Sequence, residues 1–286
     1  MHMKNKKAQN NNIKYVLASM LSGAGIGQQK TRKLYIDNHQ DLNEIKYNER
    51  CLQDTISSLE RTRTKVIAEW EEDYPSQLEH LSDPPLLLFA KGEVDILKKP
   101  MITIVGTRKY TGYGQRVVEK LTDIAAEYDI TLASGLAYGI DSIVHENCLQ
   151  KGIRTLAVVA GGVDKGFPSR KRSLYKRICE NGLVLAEFPP GHEVIKGMFP
   201  MRNRILAALS IYTIVIEAPQ SSGALITASF ANDIGREVYT IPGDIFRPTS
   251  AGCNDLVKMG AEPIVTINGF HDIFSVADEI RNSLLS

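Results

Sequence analysis

Short apolar runs alternate with helical stretches from residue 102 onward, and this alternation limits the possible folds more than any other feature. The runs are rich in Val, Ile and Leu, which is typical of strands buried on both faces. They cover 102–106, 130–134, 155–160, 183–187, 211–217 and 237–241, with a short seventh at 261–265. The helical patterns cover 113–127, 139–150, 170–181, 201–209, 223–234 and 252–259. This order predicts an α/β fold, a parallel sheet with helices on both faces.

The N-terminal part has a different pattern, and we expect a small all-helical domain over residues 1–73, ahead of a Rossmann-like domain over 74–286. Apolar residues recur there at helical intervals, at Ile13, Val16, Leu17, Met20 and Leu21. The glycine-rich segment Ser22–Gly27 then precedes a second helical stretch. This segment is either a helix-hairpin-helix turn, whose backbone N–H groups meet a DNA phosphate, or a tight turn within a helical bundle.

Composition restricts the classes of function. The 286 residues carry a net charge of only +1, so binding to nucleic acid would need a local cluster of positive charge. Such a cluster spans Lys165–Arg177, with six Lys and Arg residues and no acid. No stretch approaches the ~20 apolar residues of a membrane span, and no signal peptide is recognisable. No cysteine or histidine pair has zinc-ligand spacing. We therefore expect a cytoplasmic protein without a metal site.

The loop after the first predicted strand is suited to an anion. In parallel sheets of this kind ligands bind at the carboxyl ends of the strands. Gly106 allows close backbone approach, Thr107 offers a hydroxyl, and Arg108 offers a planar guanidinium for phosphate. Gly112 and Gly114 then open a helix, whose N-terminus favours negative charge. The spacing matches neither a dinucleotide fingerprint nor a P-loop.

The second loop, after Ser134 and Gly135, places Asp141 and His145 one helical turn apart. His145 is either a general base or one half of a structural pair with Asp141. No nucleophile is adjacent in the sequence, which favours the structural interpretation.

The third loop leads from Gly161 and Gly162 into the basic cluster. Phe167 between Lys165 and Arg170 combines a stacking surface with cations, and base–aromatic stacking contributes ~1–3 kcal/mol per base in single-strand binders. For Arg172, Lys176 and Arg177 the sequence favours a solvated helix face.

The segment Arg202-Asn203-Arg204 opens a helix, where positive charge opposes the helix dipole. A bound phosphate or a buried carboxylate such as Glu187 or Glu217 would compensate. We expect one arginine to pair with a carboxylate and the other to face the ligand. Ser222 and Gly223 form a further anion-friendly helix start.

Seven motifs, in order, resemble those of the DNA-processing protein A family (DprA, also called Smf). They are GTRKYTGYG, SGLAYGID, AGGVDKGFP, AEFPPG, FPMRNRILAALS, SSGALITA and IPGDI with GCNDLVKMGA. The resemblance covers roughly residues 74–265. The chain has Phe167-Pro168 where the family commonly has Tyr-Pro, and Ala186-Glu187-Phe188 where it has Ser-Glu-Tyr. We expect no C-terminal winged helix, because about 20 residues follow the last predicted strand.

The resemblance implies an extended Rossmann-like fold without a dinucleotide or other cofactor. It implies a homodimer that binds single-stranded DNA and loads RecA in natural transformation and recombination. It carries over no catalytic residue, so we expect no enzyme. The alternative is a nucleotide-processing or nucleotide-sensing protein of the lysine-decarboxylase-like group, whose PGGxGTxxE loop this chain lacks. The expected DNA contacts are Gly106, Thr107, Arg108, Lys109, Ser134, Gly135, Gly161, Gly162, Lys165, Phe167, Arg170, Arg202, Asn203, Arg204, Ser222 and Gly223.

Overall fold

The computed structural model of the chain describes residues 13–22, 27–37, 45–165 and 168–285. Two expected features therefore lie outside the described residues: most of the glycine-rich turn, at 23–26, and the aromatic ring of Phe167. Within the described residues a nine-stranded, mostly parallel sheet is covered by helices on both faces and preceded by helices. This confirms the predicted fold class.

The elements occur in the following order. Three helices come first: α1 (13–22), α2 (Gln28–Asp37) and α3 (Glu49–Thr62). The strands are β1 (Lys65–Ala68), β2 (Leu87–Gly92), β3 (Met101–Gly106), β4 (Thr131–Ser134), β5 (Arg154–Gly162), β6 (Leu183–Phe188), β7 (Tyr212–Ile216), β8 (Glu237–Thr240) and β9 (Glu262–Pro263). The remaining helices are α4 (Gly112–Ala125), α5 (Ile140–Lys151), α6 (Arg172–Asn181), α7 (Met198–Leu209), α8 (Gly223–Asp233), α9 (Pro248–Lys258) and α10 (Asn268–Leu285).

The strands lie in the order β1-β2-β6-β5-β4-β3-β7-β8-β9. From β6 to β9 all neighbours are parallel, whereas β1 and β2 pair antiparallel with each other and β2 pairs antiparallel with β6. The order reverses at β3, because β4 lies on one side of it and β7 on the other. In open α/β sheets ligands bind in the crevice at such a switch point.

Alternate residues of β3 show how the two layers of helices are attached. Ile102 and Ile104 pack into the cluster formed by α4, α5 and α10. Thr103 donates a hydrogen bond to the carbonyl oxygen of Leu206 on α7 (3.0 Å), and Val105 packs against α8. The first layer thus contains α4, α5, α6 and α10, and the second contains α7, α8 and α9.

The N-terminal helices extend the first layer, because they share one apolar cluster with α6 and with β1, β2, β5 and β6. The strand β1 pairs within the main sheet although it precedes residue 73. The division of the chain into domains at that residue stays a prediction.

Gln28 connects α2 to the sheet. Its amide nitrogen donates to the carbonyl oxygens of Leu87 (3.0 Å) and Glu187 (2.6 Å). Its amide oxygen accepts from the backbone N–H groups of Leu86 (3.1 Å) and Leu87 (3.3 Å). The pairing of β2 with β6 ends at Phe89 and Ala186, so this one side chain joins the two strands beyond the end of their ladder.

Among the described residues, no helix has both the length and the apolar character needed to cross a membrane.

We predict that Gln28→Ala lowers the free energy of unfolding by about 2–4 kcal/mol, because it leaves buried backbone groups of two strands without partners. Urea unfolding measures this change. Gln29→Ala is the matched control: Gln29 is exposed and makes one 3.5 Å contact, with Asp83, so its loss should cost less than about 0.5 kcal/mol. Equal effects of the two substitutions would contradict the role of Gln28.

Candidate functional site

Two adjoining cavities lie at the carboxyl ends of the central strands, with volumes of about 900 Å³ and about 540 Å³. Both are lined by Arg108, Ala137, Phe199 and Arg202. We call the two cavities together the groove. The groove lies where loops after β3, β4 and β5 meet the starts of α7 and α8, which is the position that the sequence predicted for a ligand.

Positive charge is concentrated in the groove. The larger cavity is lined by two acids, Asp164 and Glu193, and by six cations, which are Lys91, Arg108, Lys165, Arg172, Lys176 and Arg202. The smaller cavity adds Lys109 on the cationic side and Asp141 on the acidic side. A chain with a net charge of +1 therefore presents a locally basic surface.

The loop after β3 holds Arg108 in the groove through backbone contacts. The N–H of Thr107 donates to the carbonyl oxygen of Glu217 (2.6 Å), and the carbonyl oxygen of Thr107 accepts from Ile140 (3.1 Å). Gly139 has a φ of +87°, and a Cβ there would lie 2.2 Å from the oxygen of Thr107. Thr107 is thus buried and fixed, whereas Arg108 beside it is exposed.

The loop after β4 is folded around the carboxylate of Asp141. Its Oδ2 accepts from the backbone N–H groups of Gly135 (3.1 Å) and Ala137 (3.4 Å), and Leu136 between them has a φ of 54°. Burial raises the pKa of Asp141, while Arg202 and the two N–H groups act in the opposite direction. This carboxylate therefore shapes the loop.

The expected pairing of His145 with Asp141 is wrong. His145 is fully buried, and its Nδ1 lies 2.7 Å from Oγ1 of Thr155 at the start of β5. Thr155 donates its own proton to Leu132, so Nδ1–H of the histidine is the donor to Thr155. Burial lowers the pKa of His145 to about 3, with a further contribution from Arg202. His145 faces the protein interior, and it does not line the groove.

Arg204 is paired with the carboxylate of Glu187, which confirms the expectation that one of the two arginines of α7 binds a carboxylate. Its Nη2 lies 2.5 Å from Oε1 of Glu187 at the end of β6, and its Nε lies 3.5 Å from Asp83. Both Arg204 and Glu187 are buried. Burial raises the pKa of Glu187, and Arg204 counteracts this effect. Arg204 is therefore part of the interior, away from the groove.

Arg202 borders both cavities and is bound mainly by backbone dipoles. Its Nη1 donates to the carbonyl oxygens of Gly135 and Val158, and its Nε donates to the side chain of Asn203 (2.9 Å). Burial lowers the pKa of Arg202 to about 10, against the attraction of Asp141. In the described structure this cation forms no salt bridge, which leaves it available to a bound anion.

Ten of the expected contact residues line the groove. They are Gly106, Thr107, Arg108, Lys109, Gly135, Lys165, Arg202, Asn203, Ser222 and Gly223. Asn203 links α7 to the start of α8 by donating to the carbonyl oxygen of Gly223 (3.3 Å), and Lys165 is paired with Glu193.

The other expected residues that the structure describes lie outside the lining of the groove. Ser134 is buried and donates to the carbonyl oxygen of Ile104 (2.6 Å). Gly161 and Gly162 are covered by the connection from β6 to α7, because a Cβ on either would contact residues 189–194. Arg170 is exposed outside the groove lining. Arg204 is held by Glu187, as described above.

Sequence reasoning missed several groove residues. Arg172 and Lys176, interpreted as a solvated face, both line the larger cavity, as do Lys91, Tyr138 and Phe199. The signal for Arg172 and Lys176 was their spacing, since residues four apart share one side of a helix. Tyr138 and Phe199 are partly exposed aromatic residues, one in the loop after β4 and the other in the first turn of α7, and their placement beside the strand ends also suggests a ligand.

The model of the family described as DNA recombination-mediator protein A matches residues 65–275 of the chain. The chain is 40% identical to Protein Smf of Synechocystis sp. over 202 residues, which are 69% of this chain and 51% of that protein. It is 40% identical to DNA processing protein DprA of Streptococcus pneumoniae over 196 residues, 68% of this chain and 69% of that protein. The match thus spans about half the length of the Synechocystis relative.

Solved structures of two proteins described as DNA processing protein A illustrate the similarity of the fold. The X-ray structure of DprA from Streptococcus pneumoniae is 32% identical, covers 89% of this chain and 95% of its own, and has a TM-score of 0.76. The structure of DNA processing protein A from Helicobacter pylori, described with a single-stranded DNA binding mode, is 29% identical. It covers 78% of this chain and 96% of its own, with a TM-score of 0.66.

We predict that Arg204→Met destabilises the protein by about 3–5 kcal/mol, because it leaves the buried carboxylate of Glu187 without its partner. The double variant Arg204→Met with Glu187→Leu should recover most of this loss, since no buried charge then remains unpaired. Urea unfolding of the three proteins measures both effects. A single variant as stable as the wild type would show that the pair contributes nothing.

We predict that His145 makes stability fall in acid. Its pKa is about 3 in the folded protein, below the ordinary 6.5 of an unfolded chain. Its contribution is therefore complete above pH 6.5 and is lost as the pH falls toward 3. Between about pH 7.5 and about pH 5 the wild type should lose about 2 kcal/mol more than His145→Gln, which does not titrate. Parallel stability curves for the two proteins would refute the assignment.

Proposed function

The chain belongs to the DNA recombination-mediator protein A family, and on that premise we propose that it binds single-stranded DNA in the groove and delivers the strand to RecA. The observation that carries this proposal is a groove lined by cations and partly exposed aromatic rings, in a protein whose net charge is only +1. Cations bind the phosphates of a strand, and aromatic rings stack on its bases.

The residues of the groove suit this division of roles. Arg108 and Lys109 extend from a loop whose backbone is fixed at Thr107, and Arg202 adds a charge already held in place by Gly135 and Val158. Tyr138 and Phe199 lie beside these cations. Only unpaired bases are free to stack on such rings, so we propose a preference for single strands over duplex. The single-stranded DNA binding mode described for the Helicobacter pylori relative supports this proposal.

We propose further that the groove carries out no chemistry of its own. Its described lining contains neither histidine nor cysteine. Each of its carboxylates already serves as an acceptor: Asp141 for the loop after β4, Asp164 for the N–H of Gly191 (2.7 Å), and Glu193 for Lys165. The alternative of a nucleotide-processing protein is not favoured by the family that the chain belongs to.

We propose three further properties that the sequence suggested. The protein loads RecA during natural transformation and recombination, it forms a homodimer, and it is located in the cytoplasm. The description of the family as a recombination mediator supports the first of these. Sedimentation velocity measures the second, and a single species with the mass of one chain would contradict it.

We predict that the double variant Arg172→Ala with Lys176→Ala binds single-stranded DNA about three- to tenfold more weakly, because it removes two charges from the groove. The slope of log K against log salt should become shallower by about 1.4, or ~0.7 for each lost phosphate contact. Fluorescence anisotropy at several salt concentrations measures both values.

The matched control is Arg170→Ala with Arg177→Ala, which removes the same charge from exposed positions outside the groove lining. It should retain nearly the affinity and the salt slope of the wild type. Equal losses in the two double variants would mean that the groove does not bind the strand. Binding to duplex as tight as to single strands would argue against the proposed preference.

We predict that the protein shortens the lag before RecA hydrolyses ATP on DNA coated with single-strand binding protein. It should also leave the DNA uncut after long incubation with magnesium or manganese. An unchanged lag would refute the delivery of DNA to RecA. Metal-dependent cleavage that follows the protein through purification would refute the absence of catalysis.

A further inference from the structure

The helix α4 begins at the switch point of the sheet, directly after the loop that carries Arg108. In doubly wound sheets nucleotide phosphates bind at this helix start, because its first N–H groups are free and its dipole favours negative charge. The sequence suggested a ligand phosphate here. The structure places a carboxylate of the chain itself at this position, that of Glu217, which directly follows β7.

Glu217 is hydrogen-bonded to the cap of the helix. Its Oε2 accepts from the N–H of Thr111 (2.8 Å), and its Oε1 accepts from the hydroxyl of the same residue (2.6 Å). That hydroxyl in turn accepts from the N–H of Tyr113 in the first turn (3.1 Å). Both oxygens of Glu217 thus accept hydrogen bonds from Thr111, and the residue is only 4% exposed.

Gly114 provides the space for this carboxylate. A Cβ at residue 114 would lie 2.1 Å from Oε2 of Glu217, closer than real Cβ atoms approach any atom. Any other residue at this position would therefore displace the carboxylate from the first turn of α4. The sequence suggested that Gly114 opens a helix whose start favours a bound anion; in the structure this glycine permits the close approach of Glu217.

The backbone of Glu217 holds the other end of the same loop. Its carbonyl oxygen accepts from the N–H of Thr107 (2.6 Å), and its φ is 48°, in the left-handed region that residues other than glycine seldom adopt. Thr107 and Thr111 are thus both bound to one residue. Arg108 and Lys109, which line the groove, lie between these two anchors.

We propose that Glu217 is a positioning and specificity residue whose carboxylate takes the place of a nucleotide phosphate at α4 and fixes the segment that carries Arg108. The first part of this proposal, the exclusion of free phosphate compounds from the switch point, does not depend on DNA binding. The second part, the positioning of Arg108 for a DNA strand, rests on the proposed function.

The surroundings of Glu217 indicate what its removal would create. A cavity of about 560 Å³ beside it is also lined by Gly112, Arg116 and Arg247. Asp244 also lines this cavity, and its Oδ2 lies 3.4 Å from Nε of Arg247. Without the carboxylate of Glu217, the helix start would face the guanidinium groups of Arg116 and Arg247, of which that of Arg247 is paired with Asp244. Inorganic phosphate and pyrophosphate are the simplest probes of such a site.

The first experiment compares Glu217→Gly with Glu217→Gln. Glycine removes the side chain and adopts a left-handed φ without strain, whereas glutamine keeps the volume and removes the charge. Phosphate or pyrophosphate is titrated while the amide resonances of Gly112 and Gly114 are followed by NMR. These resonances distinguish the switch point from the groove, where Arg108 and Arg202 also attract anions.

In Glu217→Gly both resonances should shift in a saturable way, and in the wild type and Glu217→Gln they should not. Should Glu217→Gly fail to fold, Glu217→Asn replaces it, because asparagine also tolerates a left-handed φ and has a shorter side chain. Unshifted resonances in the folded variant would overturn the exclusion of phosphate by Glu217. So would saturable shifts in the wild type.

The second experiment measures binding of the same three proteins to single-stranded DNA. Glu217→Gly and Glu217→Gln lose the same charge, so a difference between them reports the anchor at Thr111 rather than electrostatics. We expect Glu217→Gly to bind about tenfold more weakly than Glu217→Gln, because its loop lacks both side-chain hydrogen bonds. Equal affinities would overturn the positioning role, and the groove variants described above would still test DNA binding itself.

Discussion

The carboxyl end of the sheet depends on how helix α7 places two arginines. Residues two apart on a helix point to nearly opposite sides, so Arg202 and Arg204 reach different strands. Arg204 extends to Glu187 at the end of β6, while Arg202 extends to carbonyl oxygens after β4 and within β5. Burying two cations is costly unless each finds partners, and these contacts are specific enough to fix α7 across three strands.

This arrangement explains how a nearly neutral chain forms a basic groove. The charge of Arg204 is compensated internally, whereas that of Arg202 is stabilised by dipoles at the edge of the groove. Gly135 leaves the space that the guanidinium group of Arg202 occupies, since a Cβ at residue 135 would lie 2.4 Å from Nη1 of Arg202. Acids occupy structural positions in the same region, with Asp141 inside one loop and Glu217 at the start of α4. Cations therefore face the groove, whereas several carboxylates accept hydrogen bonds that hold the surrounding loops in place.

The sequence predicts the parallel part of this fold well, because strands buried on both faces are continuous apolar runs and the stretches between them are long enough for a helix. It did not predict β1 and β2, since β6, the second partner of β2, lies far along the chain and a short apolar run alone does not identify a strand. The positions of the loops at the strand ends were predictable because each loop directly follows a predicted strand. Which side chains face the groove was predictable only in part.

Arg202 and Arg204 illustrate that limit. Their sequence shows two cations at a helix start, but only the packing of α7 decides which one meets Glu187. Glu217 was recognised as a possible partner for these arginines, and its actual partner is Thr111, on a helix start more than a hundred residues away. Arg172 and Lys176 were assigned to solvent because nothing in the sequence places the face of α6 beside the loop after β4.

The antiparallel pairing of β2 also affects how the chain folds as it is synthesised. The hairpin of β1 and β2, with its wholly buried run 86–90, leaves the ribosome four strands before β6. Until β6 follows, an apolar strand has an unpaired edge, the kind of surface on which nascent chains aggregate. Gln28 bonds to the backbone at the start of β2, so α2 can satisfy part of that edge early. Because α2 precedes β2 in the chain, these hydrogen bonds can form before β6 has been synthesised.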